Sequence, residues 1–155
     1  NNIYTLFITM FENFERRNED FYQAVEKFQR KGCPGRRRLS TGCAVRRAIH
    51  SQAPSFYLTR EHAWKQLLER RHRRIPPHEK PHRSAMWAEL EAALQRRLKQ
   101  AQGEEPWVAL DHVLANYRPS RFFISEDYAL KLVGHIERHR RKHTTTQNSQ
   151  NTGHL

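Results

Sequence analysis

The sequence predicts an all-α protein built from two tandem three-helix units, on three observations. Apolar residues recur at helical spacing along most of the chain. Pro, Gly and Ser or Thr stand where those stripes stop and restart. A Pro-Ser-aromatic corner with a following helix start occurs twice, at residues 53–63 and 118–129.

The first element is a long helix over about Ile3–Lys31. Phe7, Phe11, Phe14, Phe21, Val25 and Phe28 are spaced 4, 3, 7, 4 and 3, which is one helical stripe. Such a stripe serves a core or a partner helix. Gly32-Cys33-Pro34-Gly35 stops it, and Arg36–Ser40 is a basic loop. Ser40 or Thr41 caps a short helix to about Gln52, with Val45, Ala48 and Ile49 inward. Pro54 ends that helix, because the residue before a proline is pushed out of the helical region. Thr59 caps a third helix to about Ile75, and Pro76-Pro77 ends it. Residues 1–77 form the first unit.

His78–Arg83 reads as a polar linker. Ser84 caps a fourth helix to about Gln102, with Trp87, Leu90, Leu94 and Leu98 as its stripe. Gly103 terminates it and Pro106 opens a fifth, carrying Trp107, Leu110, Val113, Leu114 and Tyr117. After Pro119, Ser125 caps a last helix to about Lys142. Residues 84–143 make the second unit. Thr144–Leu155 is polar and almost uncharged, and is expected to be disordered.

The two units match over more than the corner. Val45, Ala48 and Ile49 correspond to Leu110, Val113 and Leu114 at an offset of 65. Beyond one extra residue, Arg121, Lys65 and Arg74 correspond to Lys131 and Arg140 at an offset of 66. In each corner the proline stops the incoming helix, the aromatic pair (Phe56-Tyr57 or Phe122-Phe123) plugs the angle, and Thr59 or Ser125 satisfies free N–H groups of the outgoing helix. A plug explains why the pair recurs with the cap better than a base-stacking platform does. Two such copies can pack about a pseudo-twofold axis or side by side.

The 155 residues carry 28 Lys and Arg against 16 Asp and Glu, a formal net charge of +12. The excess is regional. Residues 1–31 hold 5 basic and 5 acidic side chains, residues 32–83 hold 13 and 3, and residues 84–155 hold 10 and 8. Local charge density sets long-range attraction, so the middle region points to a polyanion. Arginine suits phosphate, because its planar fork is weakly hydrated and donates in pairs. The candidate phosphate contacts are Arg36, Arg37, Arg38, Arg46 and Arg47 around the basic loop, and Arg70, Arg71, Arg73 and Arg74 at the end of the third helix. The second unit adds Arg121, Arg138, Arg140, Arg141 and Lys142. Phe7, Phe11 and Phe14 are the candidate partner-binding residues.

Several function classes lose support. No apolar run approaches the roughly 20 residues of a membrane span. There is no Gly-rich phosphate loop, nucleophile elbow or His-Glu-x-x-His pair. Cys33, Cys43 and His50 lack zinc-finger spacing, and the paired carboxylates Glu104-Glu105 and Glu126-Asp127 stand where helix starts favour negative charge. The expectation is therefore a non-catalytic nucleic-acid-binding protein without cofactor, contacting the phosphate backbone of DNA or RNA inside a nucleoprotein complex. The second reading is a helical scaffold that docks on a protein partner or self-associates through the Phe-striped first helix. Asn1–Met10 lacks a signal peptide's basic start, and the cysteine pair fits a reducing cytoplasm or a nucleoid.

Overall fold

In the computed structural model every regular element among the described residues is helical: α1 (Ile3–Lys31), α2 (Thr41–Ile49), α3 (Arg60–Arg71), α4 (Pro81–Gln100), α5 (Pro106–Asn116) and α6 (Glu126–Asn151). The structure describes residues 3–32, 35 and 38–151, and the side chains of all of these except 6 and 148–151. Among the described residues no helix is long and apolar enough to cross a membrane.

Local chemistry sets most boundaries. The side chains of Ser40 and Thr59 accept from the N–H groups of Cys43 and His62, which caps α2 and α3. Ser125 accepts from the Tyr128 N–H at the start of α6. Four boundaries differ from expectation. α2 ends at Ile49 and α3 at Arg71, short of Gln52 and Ile75. α4 starts at Pro81, so half of the expected linker is helix: a proline in the first turn loses no hydrogen bond there. Ser84 caps nothing, and instead its hydroxyl donates to Glu79 at 2.8 Å. At the other end α6 runs to Asn151, through a segment expected to be disordered. Thr144, Thr145 and Thr146 there return their hydroxyls to the carbonyls four residues back.

Two hydrophobic cores hold the helices together, and neither follows chain order. In the first, Phe21 and Val25 of α1 pack with Val45 and Ala48 of α2 and with Ala129 and Val133 of α6. In the second, Ala63 and Leu67 of α3 pack with Leu90 and Leu94 of α4 and with Leu110 and Val113 of α5. Each core thus joins the first two helices of one sequence unit to the last helix of the other. The packing does not respect the division between residues 1–77 and 84–143. Burying each of these larger side chains contributes about 1.5–3 kcal/mol.

The corners account for the crossing. Ala53 N–H donates to the Pro119 carbonyl at 3.0 Å, and Phe122 N–H donates to the Ile49 carbonyl at 2.9 Å. The rings interleave: Phe56 stacks on Phe123 with centroids 6.3 Å apart, and Tyr57 on Phe122 at 6.5 Å. The corners lie against each other, so each outgoing helix starts beside the opposite core. Phe56, Tyr57 and Phe122 are buried, and the plug joins the cores.

Candidate functional site

Burial divides the first helix in two. Phe21 and Val25 are fully buried, whereas Phe7, Phe11 and Phe14 are 74%, 60% and 44% exposed. Ile3, Tyr4 and Ile8 are exposed beside them. The three candidate partner-binding phenylalanines therefore belong to neither core.

The candidate phosphate-binding arginines divide as well. Arg36 and Arg37 lie outside the described residues. Arg70 is engaged inside the fold: its fork donates to both oxygens of Glu79 at 2.7 and 2.9 Å, with the two side chains only 16% and 8% exposed. That pairing holds the Glu79 carboxyl below its usual range, with the Ser84 hydroxyl helping and burial opposing. Arg71 meets Glu91, Arg74 meets Glu69, and Arg46 meets Glu126. Arg140 bridges Glu19 and Glu26 at 3.3 Å and lies over the Tyr22 ring, tying α6 to α1. Arg47 is exposed on α2. Arg38, Arg73, Arg121, Arg138, Arg141 and Lys142 are exposed and have no carboxylate within ion-pair distance among the described residues. These six are spread over the surface: Arg38 before α2, Arg73 after α3, Arg121 in the second corner, and the rest on α6.

A cleft of about 800 Å³ opens where the corners meet α1 and the segment leading into α4. Its floor is the interleaved corner aromatics with Trp87, and Phe14 and Tyr128 stand at 44% and 43% exposure. Arg17, Lys80, Arg83 and Arg121 line it, and so do His62, His78 and His82. Arg17 lies over both rings, 4.9 Å from the Phe14 centroid and 5.4 Å from that of Tyr128. It donates to the Tyr128 hydroxyl at 3.2 Å and to Asn18 Oδ1. Glu79, the acidic residue lining the cleft, is already engaged by Arg70.

The cations here are close enough to act on one another. Burial foremost lowers the Arg17 guanidinium from its usual value; Tyr128 opposes this and Arg83 adds to it. Burial also pushes His62 down, followed by the charges of Arg83 and Lys65. His82 is lowered by burial, then by Arg83, Lys80 and Arg17. The cleft therefore holds unneutralised positive charge that an anion would relieve.

Of these cations only Arg121 is among the candidates from sequence. Arg17 sits in the charge-neutral first helix, and Lys80 and Arg83 read as linker. The missed signal is the repeat itself. An offset of 65 carries Arg17 and Asn18 to His82 and Arg83, and an offset of 66 carries His62 to Tyr128. At these offsets His82 and Tyr128, which line the cleft, stand opposite Arg17 and His62, which also line it. No protein-family model, curated protein or solved structure matches this chain.

Proposed function

We propose that the protein binds nucleic acid through the phosphate backbone, without catalysing a reaction of its own, as one component of a cytoplasmic or nucleoid-associated complex. One observation carries this reading. In the most basic stretch, residues 32–83, all three carboxylates are taken up by neighbouring arginines (Glu61 by Arg60, Glu69 by Arg74, Glu79 by Arg70), and among the described residues Arg38, Lys65, Arg73, Lys80 and Arg83 are exposed with no carboxylate at ion-pair distance. A surface arranged in this way attracts polyanions, and the affinity falls steeply with salt. The two sequence copies, with final helices exchanged between cores, support a pseudo-twofold arrangement, which presents cations from both copies.

The test is a binding titration with duplex DNA, single-stranded DNA and structured RNA at two salt concentrations. Replacing the exposed, carboxylate-free Arg38, Arg73, Arg138 and Arg141 by Gln is expected to weaken binding and flatten its salt dependence, by about one unit of logarithmic slope for each phosphate no longer neutralised. Equal, weak binding of all three ligands by the unaltered protein would remove the reading.

The exposed face of α1 favours a second reading, a scaffold that self-associates through Phe7, Phe11 and Phe14. Residues 3–11 carry no charged side chain, so two copies of this face meet without like-charge repulsion. A monomer at all concentrations in sedimentation would exclude it.

A further inference from the structure

We propose that the cleft between the two corners is a binding site for an unpaired, single-stranded stretch of nucleic acid, with phosphates held at Lys80, Arg83 and Arg121 and a base laid against Phe14 and Tyr128. The inference rests on the nucleic-acid reading above and narrows it to one ligand class and one place.

Three features of the cleft select this ligand. The first is charge. Lys80, Arg83 and Arg121 are exposed and lack carboxylate partners among the described residues, while Glu79 is held by Arg70. A backbone phosphate meets donors there that need not first be released from an internal ion pair. The second is aromatic surface. Phe14 and Tyr128 are the two most exposed Phe, Tyr or Trp rings of the cleft, and Arg17 braces both. Stacking on braced rings suits any base, because every base has a π-face. The third is the combination of apolar lining and size. A volume of about 800 Å³ lies in the range of pockets that enclose a small organic ligand. In a duplex the base faces are covered by their neighbours, so only an unpaired base can enter and use the aromatic surface. An acidic peptide would satisfy the cations and leave the rings unused.

The surface outside the cleft serves as the comparison. Arg138 and Arg141 on α6 are exposed cations that do not line it. They attract any polyanion by charge alone.

The experiment measures fluorescence anisotropy of a labelled oligothymidylate of about ten nucleotides and of a labelled duplex of the same length. Unlabelled poly-glutamate serves as competitor, and near-ultraviolet circular dichroism checks the fold. Three proteins are compared: the unaltered chain, a Lys80→Gln/Arg83→Gln variant and an Arg138→Gln/Arg141→Gln variant. The cleft variant alters exposed side chains outside both cores. It is expected to bind the single strand about tenfold or more weakly and to keep most of its duplex binding. The α6 variant is expected to weaken both ligands to a similar, smaller degree. A Tyr128→Leu variant, which keeps bulk and removes stacking, is expected to lose single-strand affinity alone.

Single-strand binding that the cleft variants leave unchanged would overturn the site, as would stronger competition by poly-glutamate than by unlabelled oligothymidylate. Duplex binding with normal salt dependence, together with no cleft effect, removes this inference and leaves the broader function standing. Failure of every nucleic acid to bind removes both.

Discussion

The two corners share a motif and differ in length by one residue, and that residue separates two ways of turning the chain. In the shorter corner Tyr57 adopts a left-handed backbone with φ of 58°, a conformation that costs a non-glycine residue about 1–2 kcal/mol. Local bonds hold it there: Ser55 Oγ accepts the Tyr57 N–H at 3.0 Å, and the Tyr57 hydroxyl donates to Asp20 at 2.6 Å. In the longer corner Arg121 supplies an additional residue, and Phe123 turns without a positive φ. Phe123 has no hydroxyl to anchor and stays half-buried beside the cleft. One copy is locked to α1; the other is relaxed and contributes a cation to the cleft. A shared corner motif therefore does not give shared roles.

Breaking the connection between the corners has the largest expected effect. Residues 1–77 contain α1, α2 and α3, but α3 belongs to the core of α4 and α5. A fragment of residues 1–77 is expected to show no cooperative thermal transition as a monomer. Mixing it with a fragment of residues 78–155 is expected to restore one. Cooperative melting of monomeric 1–77 would mean that the unit closes on its own α3, with the crossing at the corners dispensable.

Next come the plug rings. Phe122→Ala removes a ring that stacks on Tyr57 and meets Phe21 edge-on at 5.3 Å. Phe56→Ala removes one stacked on Tyr117 and Phe123. Each is expected to cost about 3–5 kcal/mol in denaturant unfolding. Each ring packs on aromatic rings of the other sequence unit, so either loss should lower one common transition rather than split it in two.

How much of this was legible in the sequence follows from which forces act locally. Helix existence, the Thr59 and Ser125 caps, a cap at Ser40 or Thr41 and the plug were legible, because stripe, cap and proline act within a few residues. The Phe stripe of α1 gave the helix correctly but not its burial: period marks one face, and the length of the neighbouring helices decides how far along α1 that face is covered. Arginine count was informative about net charge and blind to pairing. Arg70 reads like Arg73 in sequence, yet Glu79 comes back to Arg70 across the proline turn. The exchange of α3 and α6 was not legible, because hydrophobic patterning is satisfied equally by either core. The cleft was missed for the same reason, since it forms only where the two corners cross.

The tyrosine that locks the shorter corner gives a smaller effect. Tyr57→Phe makes the first corner resemble the second and leaves Asp20 without its short hydrogen bond. Burial first, and then the Asp20 hydrogen bond and charge, raise the Tyr57 hydroxyl far above its usual value, so it stays protonated and donating at all ordinary pH. The substitution is expected to destabilise by about 1–2 kcal/mol, with no change across neutral pH. A loss as large as that of Phe122→Ala would mean that the hydroxyl, rather than the ring, sets the corner.

Counterpart positions in the two copies also give a pH test. His62 and Tyr128 occupy equivalent places at the heads of α3 and α6, and of the two only the residue on α3 is an imidazole. His62 and His82 are both held below their usual value in the fold. As pH falls through about 6.5 the unfolded chain takes up protons first, so stability declines through that point and down to the folded values. Replacing both by Gln is expected to flatten this decline, measured as unfolding free energy between pH 7.5 and 5. Bound polyanion should act in the opposite direction, raising both histidines, so affinity is expected to increase as pH falls.

The smallest effects separate Arg121 as a spacer from Arg121 as a charge. Arg121→Ala keeps the length of the second corner and removes an exposed cation, so stability should change by no more than about 0.5 kcal/mol. Deleting the residue forces the second corner to the length of the first. Phe123 must then take the left-handed conformation that Tyr57 adopts, but without an equivalent hydroxyl to anchor it. The expected loss is about 1–2 kcal/mol, seen in denaturant unfolding. Adding Phe123→Tyr to the deletion should not recover it: the offset of 65 that carries Asp20 to Ala85 places no carboxylate at the receiving position. Equal stability of the deletion and the alanine variant would show that the second corner tolerates both lengths, and the positive φ at Tyr57 would then reflect its bond to Asp20 rather than the missing residue.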